Sequence, residues 1–343
     1  MKKNNSFILA IALIGGSILF FLVSLYIFAP SYRFETPSPF SGKYIYNPYQ
    51  KASGYDWRYV DFRNDSISGL DIPVYEYGHS VSSSRYLCID YQSKRKLDYP
   101  LFQNINLKQH NINCLNKKTS SVALTNLNKG FKSRELRHLD HYRLMEVMSG
   151  YGCFFNHWDI ALSSGHRVNI LASSDISNED GFEYKTVISE KYTETDDIIK
   201  SLNDGDFYAI SYRRENHDLP KVCNVTSTND TVHISTDKMI KELRFIGQNG
   251  KVRETLFNVN QGLYIFKEDD SYIRIEMDFN DETTIYLNPI VRHQFQYFFD
   301  PSLSETMTER TWMMRIIYIC VIIFFVKHLL SNKKVKANED KGK

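Results

Sequence analysis

Asp175 combines a reactive side-chain type with a setting that suits chemistry. It follows Val168–Ala172, an apolar run that reads as a strand, and the turn residues Ser173 and Ser174. Polar side chains just past the carboxyl end of a parallel strand are the usual site-formers of α/β proteins. His79 has a comparable position behind Gly78 and a strand-like Asp71–Gly78, although a lone imidazole is ordinarily satisfied by hydrogen bonds. In His138-Leu139-Asp140-His141 the i, i+3 spacing suits a metal, but Leu136 and Leu139 take the apolar face, so both imidazoles read as a solvated helix face. His157-Trp158-Asp159 reads as a helix start, with Trp158 packing and Asp159 near the positive end of the dipole. No Walker loop, GxGxxG, GxSxG or HExxH occurs.

Asp175 is positioned by the stretch from Leu144 to Asn178. An apolar run (Leu144, Met145, Val147, Met148) precedes a helical segment around Trp158, Ile160, Ala161 and Leu162. Gly165 then leads to the second apolar run. Strand, helix, strand is the βαβ signature of a parallel sheet covered by helices. Ahead of it, Asp71–Gly78, Tyr86–Asp90 and Ser121–Thr125 read as strands and Phe102–Leu115 as a helix. Ser133 is placed to cap a helix with Leu136, Leu139 and Tyr142 on one face. Behind it come a strand near Tyr184–Ser189 and a helix opened by the capping-box pattern Thr193-Glu194-Thr195-Asp196 and closed at Gly205.

After Gly205 short strands dominate: 206–212, 222–227, 232–236, 242–246, 252–257, 263–266, 272–277 and 284–287. Turns are expected at Thr228-Asn229-Asp230, Gln248-Asn249-Gly250 and Glu268-Asp269-Asp270. Tyr272–Met277 alternates polar and apolar residues, as a half-buried strand does. The pattern predicts a separate sandwich-like all-β module.

A chain of 343 residues can bury one large core or two ordinary ones. With 42 Lys+Arg against 40 Asp+Glu, the formal charge is +2, which gives no basis for a nucleic-acid partner. The five cysteines form no CxxC, which excludes a zinc ribbon or redox motif. Cys88, Cys114, Cys153 and Cys223 read as buried thiols.

Phe7–Phe28 is uncharged and long enough to span a bilayer, and Lys2 and Lys3 before it favour a cytoplasmic amino terminus. Trp312–Leu330 is a second candidate, with Arg315 and Lys327 at its edges and Lys333, Lys334 and Lys336 beyond. These runs predict a cytoplasmic tail (1–6), a transmembrane helix (7–28), an outward-facing α/β domain (29–205) and β-module (206–295), a second span (312–330) and a basic cytoplasmic tail (331–343).

Several motifs follow one another in a familiar order: Glu76 after a strand, Thr125-Asn126-Leu127, Met145-Glu146-Val147, His157-Trp158-Asp159 with Leu162-Ser163-Ser164-Gly165, and Ser174-Asp175-Ile176-Ser177. This order resembles the polymerase and histidinol phosphatase (PHP) family, and Phe207-Tyr208-Ala209, Phe245-Ile246-Gly247, Tyr272-Ile273-Arg274-Ile275 and Leu287-Asn288-Pro289 resemble the β-domain of many such metallohydrolases. The match covers roughly residues 70 to 292.

The resemblance implies a distorted β/α barrel holding two or three divalent metals that activate water against a phosphate ester. It places Glu76 at the family's bridging glutamate and Asp175 at its late aspartate. Asn126 and Ser177 stand where the family carries His, and Arg85 stands near another His position. The founding His-x-His pair has no counterpart, and its strand and helix are missing between Asp56 and Asp71.

A catalytic metal wants about three protein ligands and an open position, whereas two carboxylates remain, beside an arginine that repels cations. The expectation is a truncated, PHP-like barrel followed by a sandwich-like module, anchored by two transmembrane helices. Its role would be binding or scaffolding in the cell envelope, with no cofactor, and its partners the membrane and an envelope protein or small-molecule ligand. The alternative is a phosphoesterase with a reduced Mn, Zn or Mg site built from Glu76, Asp175 and His79.

Overall fold

The computed structural model describes residues 15, 16, 18, 29–50, 56–62, 66, 67, 70, 72–78, 84–93, 103–173, 181–295 and 302–339. In chain order the strands begin with β1 (Tyr32–Phe34), β2 (Tyr44–Tyr46), β3 (Trp57–Val60), β4 (Val74–Gly78) and β5 (Arg85–Tyr91). Helix α1 (Ile105–Leu115) and β6 (Thr119–Thr125) follow, then the single turns α2 (Leu127–Gly130) and α3 (Ser133–Leu136). Next are β7 (Leu144–Ser149), β8 (Gly152–Cys153), α4 (Phe155–Ser163), β9 (Asn169–Ala172), β10 (Phe182–Ser189) and α5 (Thr195–Asp204). The remainder is β11 (Tyr208–Arg213), β12 (Val222–Thr228), β13 (Thr231–Gly247), β14 (Lys251–Ile265), β15 (Tyr272–Asp278), β16 (Thr284–His293), β17 (Ser304–Thr306) and α6 (Thr308–Glu339).

The chain divides into two compact units: 1–33, 98–110 and 304–343 form one, and 34–97 and 111–303 the other. In the smaller unit the Ser31 N–H donates to Thr311 Oγ1 (2.9 Å), and the Tyr32 N–H donates to Asn106 Oδ1 (3.0 Å).

The larger unit holds two sheets. In the first, the order is β4-β5-β6-β7-β8, with β9 on the other side of β7. The βαβ unit is present: β7 and β9 pair in parallel, Leu144 opposite Asn169, with α4 between them in sequence. The barrel is not. β4, β5 and β6 form an antiparallel meander, β7 and β8 pair antiparallel, and only the β6–β7 and β7–β9 steps are parallel. A β/α barrel needs a helical crossover after each strand, and the segments joining β4 to β5 and β7 to β8 are too short to supply one.

The second sheet runs β12-β13-β15-β16-β11-β10-β3, with β14 on β13 and β2 on β16. It is a single curled sheet, and the molecule is mostly β rather than α/β. β2, β3 and β10, which precede Gly205, are hydrogen-bonded members of this sheet. The change of texture at Gly205 therefore marks where its strands become consecutive in sequence. Four of the expected short strands merge into the long hairpin β13–β14. Its turn places Asn249 (φ 58°) and Gly250 (φ 70°) in the left-handed region that these residues tolerate.

Two cores result. Leu243, Phe245, Tyr264, Ile275 and Leu287 belong to the core of the curled sheet. Val74, Ile89, Ala123, Leu144 and Leu171 of the first sheet pack with Val60 of β3, Ile188 of β10 and Ile198 and Leu202 of α5. Helix α5 ends at Gly205 (φ 93°), whose N–H bonds the Ser201 carbonyl; its start carries no side-chain cap, so the expected capping box does not form. Leu136, Leu139 and Tyr142 are buried as expected, but the helix at Ser133 stops after one turn.

Neither membrane span is supported. Among the described residues no helix is long and apolar enough to cross a membrane. Apart from Gly15, Gly16 and Ile18, the 7–28 segment lies outside the described residues. The 312–330 segment falls within α6, where the uncharged run between Arg315 and Lys327 covers about 16 Å at 1.5 Å per residue, against a hydrocarbon core of about 30 Å. The two-span topology, the outward placement of the domain between the spans and the cytoplasmic placement of both tails lose their basis with it. Among the cysteines, all free, Cys88 is buried, Cys114 is half-buried, and Cys153, Cys223 and Cys320 are exposed.

Candidate functional site

A polar row crosses the first sheet, and the strand period explains it. Val74, Ala123, Leu144 and Leu171 are core residues of β4, β6, β7 and β9. Two residues further along the chain stand Glu76, Thr125 and Glu146, on the same faces of their strands, and Ser173, just past the end of β9. On the antiparallel β5, Arg85 pairs with Gly78 on one side and Thr125 on the other. Glu76 and Arg85 are thus diagonal cross-strand neighbours, within reach of long side chains.

The row is closed by its own contacts. Arg85 Nη1 donates to Glu76 Oε2 at 3.1 Å, and Thr125 Oγ1 donates to Glu76 Oε1 at 3.2 Å. Ser173 Oγ donates to Glu146 Oε1 at 2.6 Å. Ser173 also bridges to Lys185 of β10, whose Nζ pairs with Asp61 Oδ2 at 2.9 Å. Asn126 follows Thr125 in a left-handed conformation (φ 53°, ψ 47°) that lets the chain leave β6 for α2. The side chains of Arg85 and Glu76 are 40% and 45% exposed, so their pair is screened by water.

The structure therefore brings Glu76, Arg85 and Asn126 to one edge of one sheet. Asp175, His79 and Ser177 lie outside the described residues. The described donors do not fit a divalent metal: Glu76 is taken up by a guanidinium and a hydroxyl, and no imidazole or thiol belongs to the row. No group of three or more His, Cys, Asp or Glu side chains that could hold a metal occurs among the described residues. Glu146 was legible as a charge inside an apolar strand, whereas Asp61 and Lys185 carried no signal, since their meeting depends on the β3–β10 pairing.

A second cluster joins α4 to the curled sheet. Arg274 Nε and Nη2 clamp Asp159 Oδ1 (2.7 Å) and Oδ2 (2.9 Å), and Tyr272 donates to Oδ1 at 3.1 Å. Arg274 also bonds Glu276, which Arg244 Nη2 meets at 3.0 Å; Arg244 reaches Asp278 at 2.9 Å. The guanidinium of Arg274 lies 5.2 Å from the Trp158 ring and 5.7 Å from that of Phe155. Asp159 is thus a buried ion-pair partner inside the helix rather than a dipole-facing residue at its start. Tyr272–Met277 is buried on both faces, because α4 covers the polar one.

No known protein family matches the chain, and no curated protein matches it. Among solved structures it is similar to a two-domain protein from Bacteroides vulgatus containing a predicted PHP-like metal-dependent phosphoesterase. The identity is 13% and the TM-score 0.33, over 69% of this chain and 74% of that one. A likeness at this level assigns no activity to these residues.

Proposed function

We propose that this chain is a binding or scaffolding protein of PHP-like type that does not hydrolyse phosphate esters. The observation that carries the reading is the guanidinium of Arg85 on Glu76. A fixed positive charge in contact with the carboxylate that would bridge two metals opposes any divalent cation there, and it replaces the cation as the counter-charge. Loss of partners one shell removed already costs about 10–100-fold in metal affinity or activity, and here the substitution touches the carboxylate itself.

The test is to load the full-length chain with Mn, Zn and Mg, remove excess metal, and measure metal content and turnover of a chromogenic phosphodiester. The expected result is no stoichiometric metal and no turnover above a buffer control. Stoichiometric Mn or Zn accompanied by turnover, with both lost in Glu76→Ala, would overturn the proposal.

A further inference from the structure

The hairpin β13–β14 and its neighbour β12 leave two edges on the curled sheet, and the two are finished differently. Side chains close the free side of β12. Trp57 Nε1 donates to the Val222 carbonyl (2.8 Å), Asn47 Nδ2 to that of Val225 (3.1 Å) and Gln50 Nε2 to that of Ser227 (3.1 Å). The Ser227 N–H in turn donates to Gln50 Oε1 at 3.0 Å. The far side of β14 has no such cover: among the described residues β14 pairs with β13 alone.

The phase of the hairpin decides which backbone groups face that side. The Phe266 N–H donates to the Asp230 carbonyl at 2.8 Å, so these two residues form a hydrogen-bonded pair. Along an antiparallel ladder, bonded and non-bonded pairs alternate. Thr231–Ile265, His233–Leu263 and Ser235–Gln261 are then the non-bonded pairs of the register. The β12 side agrees. Ser227 and Val225 point backbone groups outward opposite Val232 and Ile234, so those two β13 residues bond across to Tyr264 and Gly262. Gln261, Leu263 and Ile265 therefore turn their N–H and C=O groups away from β13. Among the described residues nothing bonds these groups. A register shift between Ser235 and Ile240 bounds the regular stretch at Gln261.

An open edge is a template for another strand, and natural proteins blunt such edges with lysine, proline or an inward-pointing charge. From Thr255 to Phe266 the sequence has no charged residue and no proline. Leu263 and Ile265 stand out from the sheet, 44% and 58% exposed. We propose that this edge pairs with the same edge of a second copy of the chain, antiparallel about a two-fold axis at Leu263. The phase selects that partner. A two-fold axis there sets Leu263 opposite its own copy and Gln261 opposite Ile265, so every outward N–H meets an outward C=O. Leu263 and Ile265 of both copies then form one apolar strip across the joined edges. No charge in the run opposes its own image. The surface shares no residue with the Glu76 row and stands whether or not that row is catalytic.

A single shared edge is a small interface of the transient class, half-formed on the order of 10 µM. The experiment is sedimentation velocity of the full-length chain from about 1 to 200 µM, across which it should pass from monomer to dimer. Leu263→Lys and Leu263→Glu each set like charges face to face, and each should weaken association at least about tenfold. An equimolar mixture of the two variants should recover the dimer, because opposite charges then meet at position 263. Thermal melts confirm that both variants fold. A wild-type chain that stays monomeric over the whole range overturns the proposal, as does association that both folded variants retain. A mixture that remains monomeric overturns it too, since position 263 would not then face itself.

Discussion

Two of the arginine–carboxylate pairs among the described residues have similar composition and opposite surroundings. Arg274 and Asp159 are 4% and 7% exposed in their side chains and meet bidentately between α4 and β15. Arg85 and Glu76 are 40% and 45% exposed and meet through one bond across β4 and β5. The first pair has surrendered its water and is compensated by its own two bonds together with Tyr272 and Glu276 beside it, so it behaves as a strut. The second keeps much of its hydration, so it sets the charge of a surface while contributing little to folding. The same chemistry is structural in one place and electrostatic in the other, and burial decides which.

Breaking the strut should have the largest effect. Arg274→Met leaves the Asp159 and Glu276 carboxylates buried without their main counter-charge, and should cost about 3–5 kcal/mol in urea denaturation. Adding Asp159→Leu should recover part of that loss, because it removes one of the stranded charges; a further loss from the double variant would contradict the assignment. Gly250→Ala comes next. A methyl there would lie 2.6 Å from Asp159 Oδ2, on a backbone at φ +70°. It should cost about 1–3 kcal/mol by denaturation, joining left-handed strain to a shifted carboxylate.

The contrast also marks what the sequence could and could not convey. The βαβ unit, the hairpin turns at Asn229 and Asn249 and the glycine that ends α5 were legible because period and turn chemistry are local properties. The turn at Glu268–Asp270 instead joins β14 to β15, which both pair with β13 and not with each other. The barrel expectation failed because a run such as Val74–Gly78 has the same period whether its neighbour is parallel or antiparallel. Arg274 and Glu276 read as the wet side of a half-buried strand, since nothing local announces that α4 lies over them. Glu76, Arg85 and Asn126 were legible as positions through the family resemblance. That Arg85 rests on Glu76 depends on the Gly78–Arg85 register. Asp206 looked like the first residue of a strand, and only the three-dimensional structure shows it buried beside Ser201 and Tyr192.

Asp206 supplies the intermediate case, a buried carboxylate that makes no ion pair among the described residues. Burial pushes its carboxyl above the ordinary value, against the smaller opposing effects of Ser201, Tyr192 and Lys191. The folded state therefore holds the proton more tightly than the unfolded chain. The stability this confers is complete below the unfolded carboxylate range and is lost as pH rises through the folded value. Asp206→Asn keeps an acceptor for Tyr192 and removes the titration. Its stability relative to wild type should improve from pH 3 to pH 7, read from urea midpoints; a relative stability that falls over this range would place a cation against Asp206.

The smallest effect belongs to the exposed pair. Arg85→Ala should change stability by no more than about 0.5 kcal/mol, because both side chains remain hydrated and Thr125 still bonds Glu76. The midpoint should also be nearly insensitive to salt, since little Coulomb energy is available to screen. A loss above about 2 kcal/mol would make this pair a second strut, and the polar row a device for holding the sheet together. A small loss leaves Arg85 as a charge that the fold does not need. The remaining consequence of placing it on Glu76 is then electrostatic, the exclusion of a cation from that carboxylate.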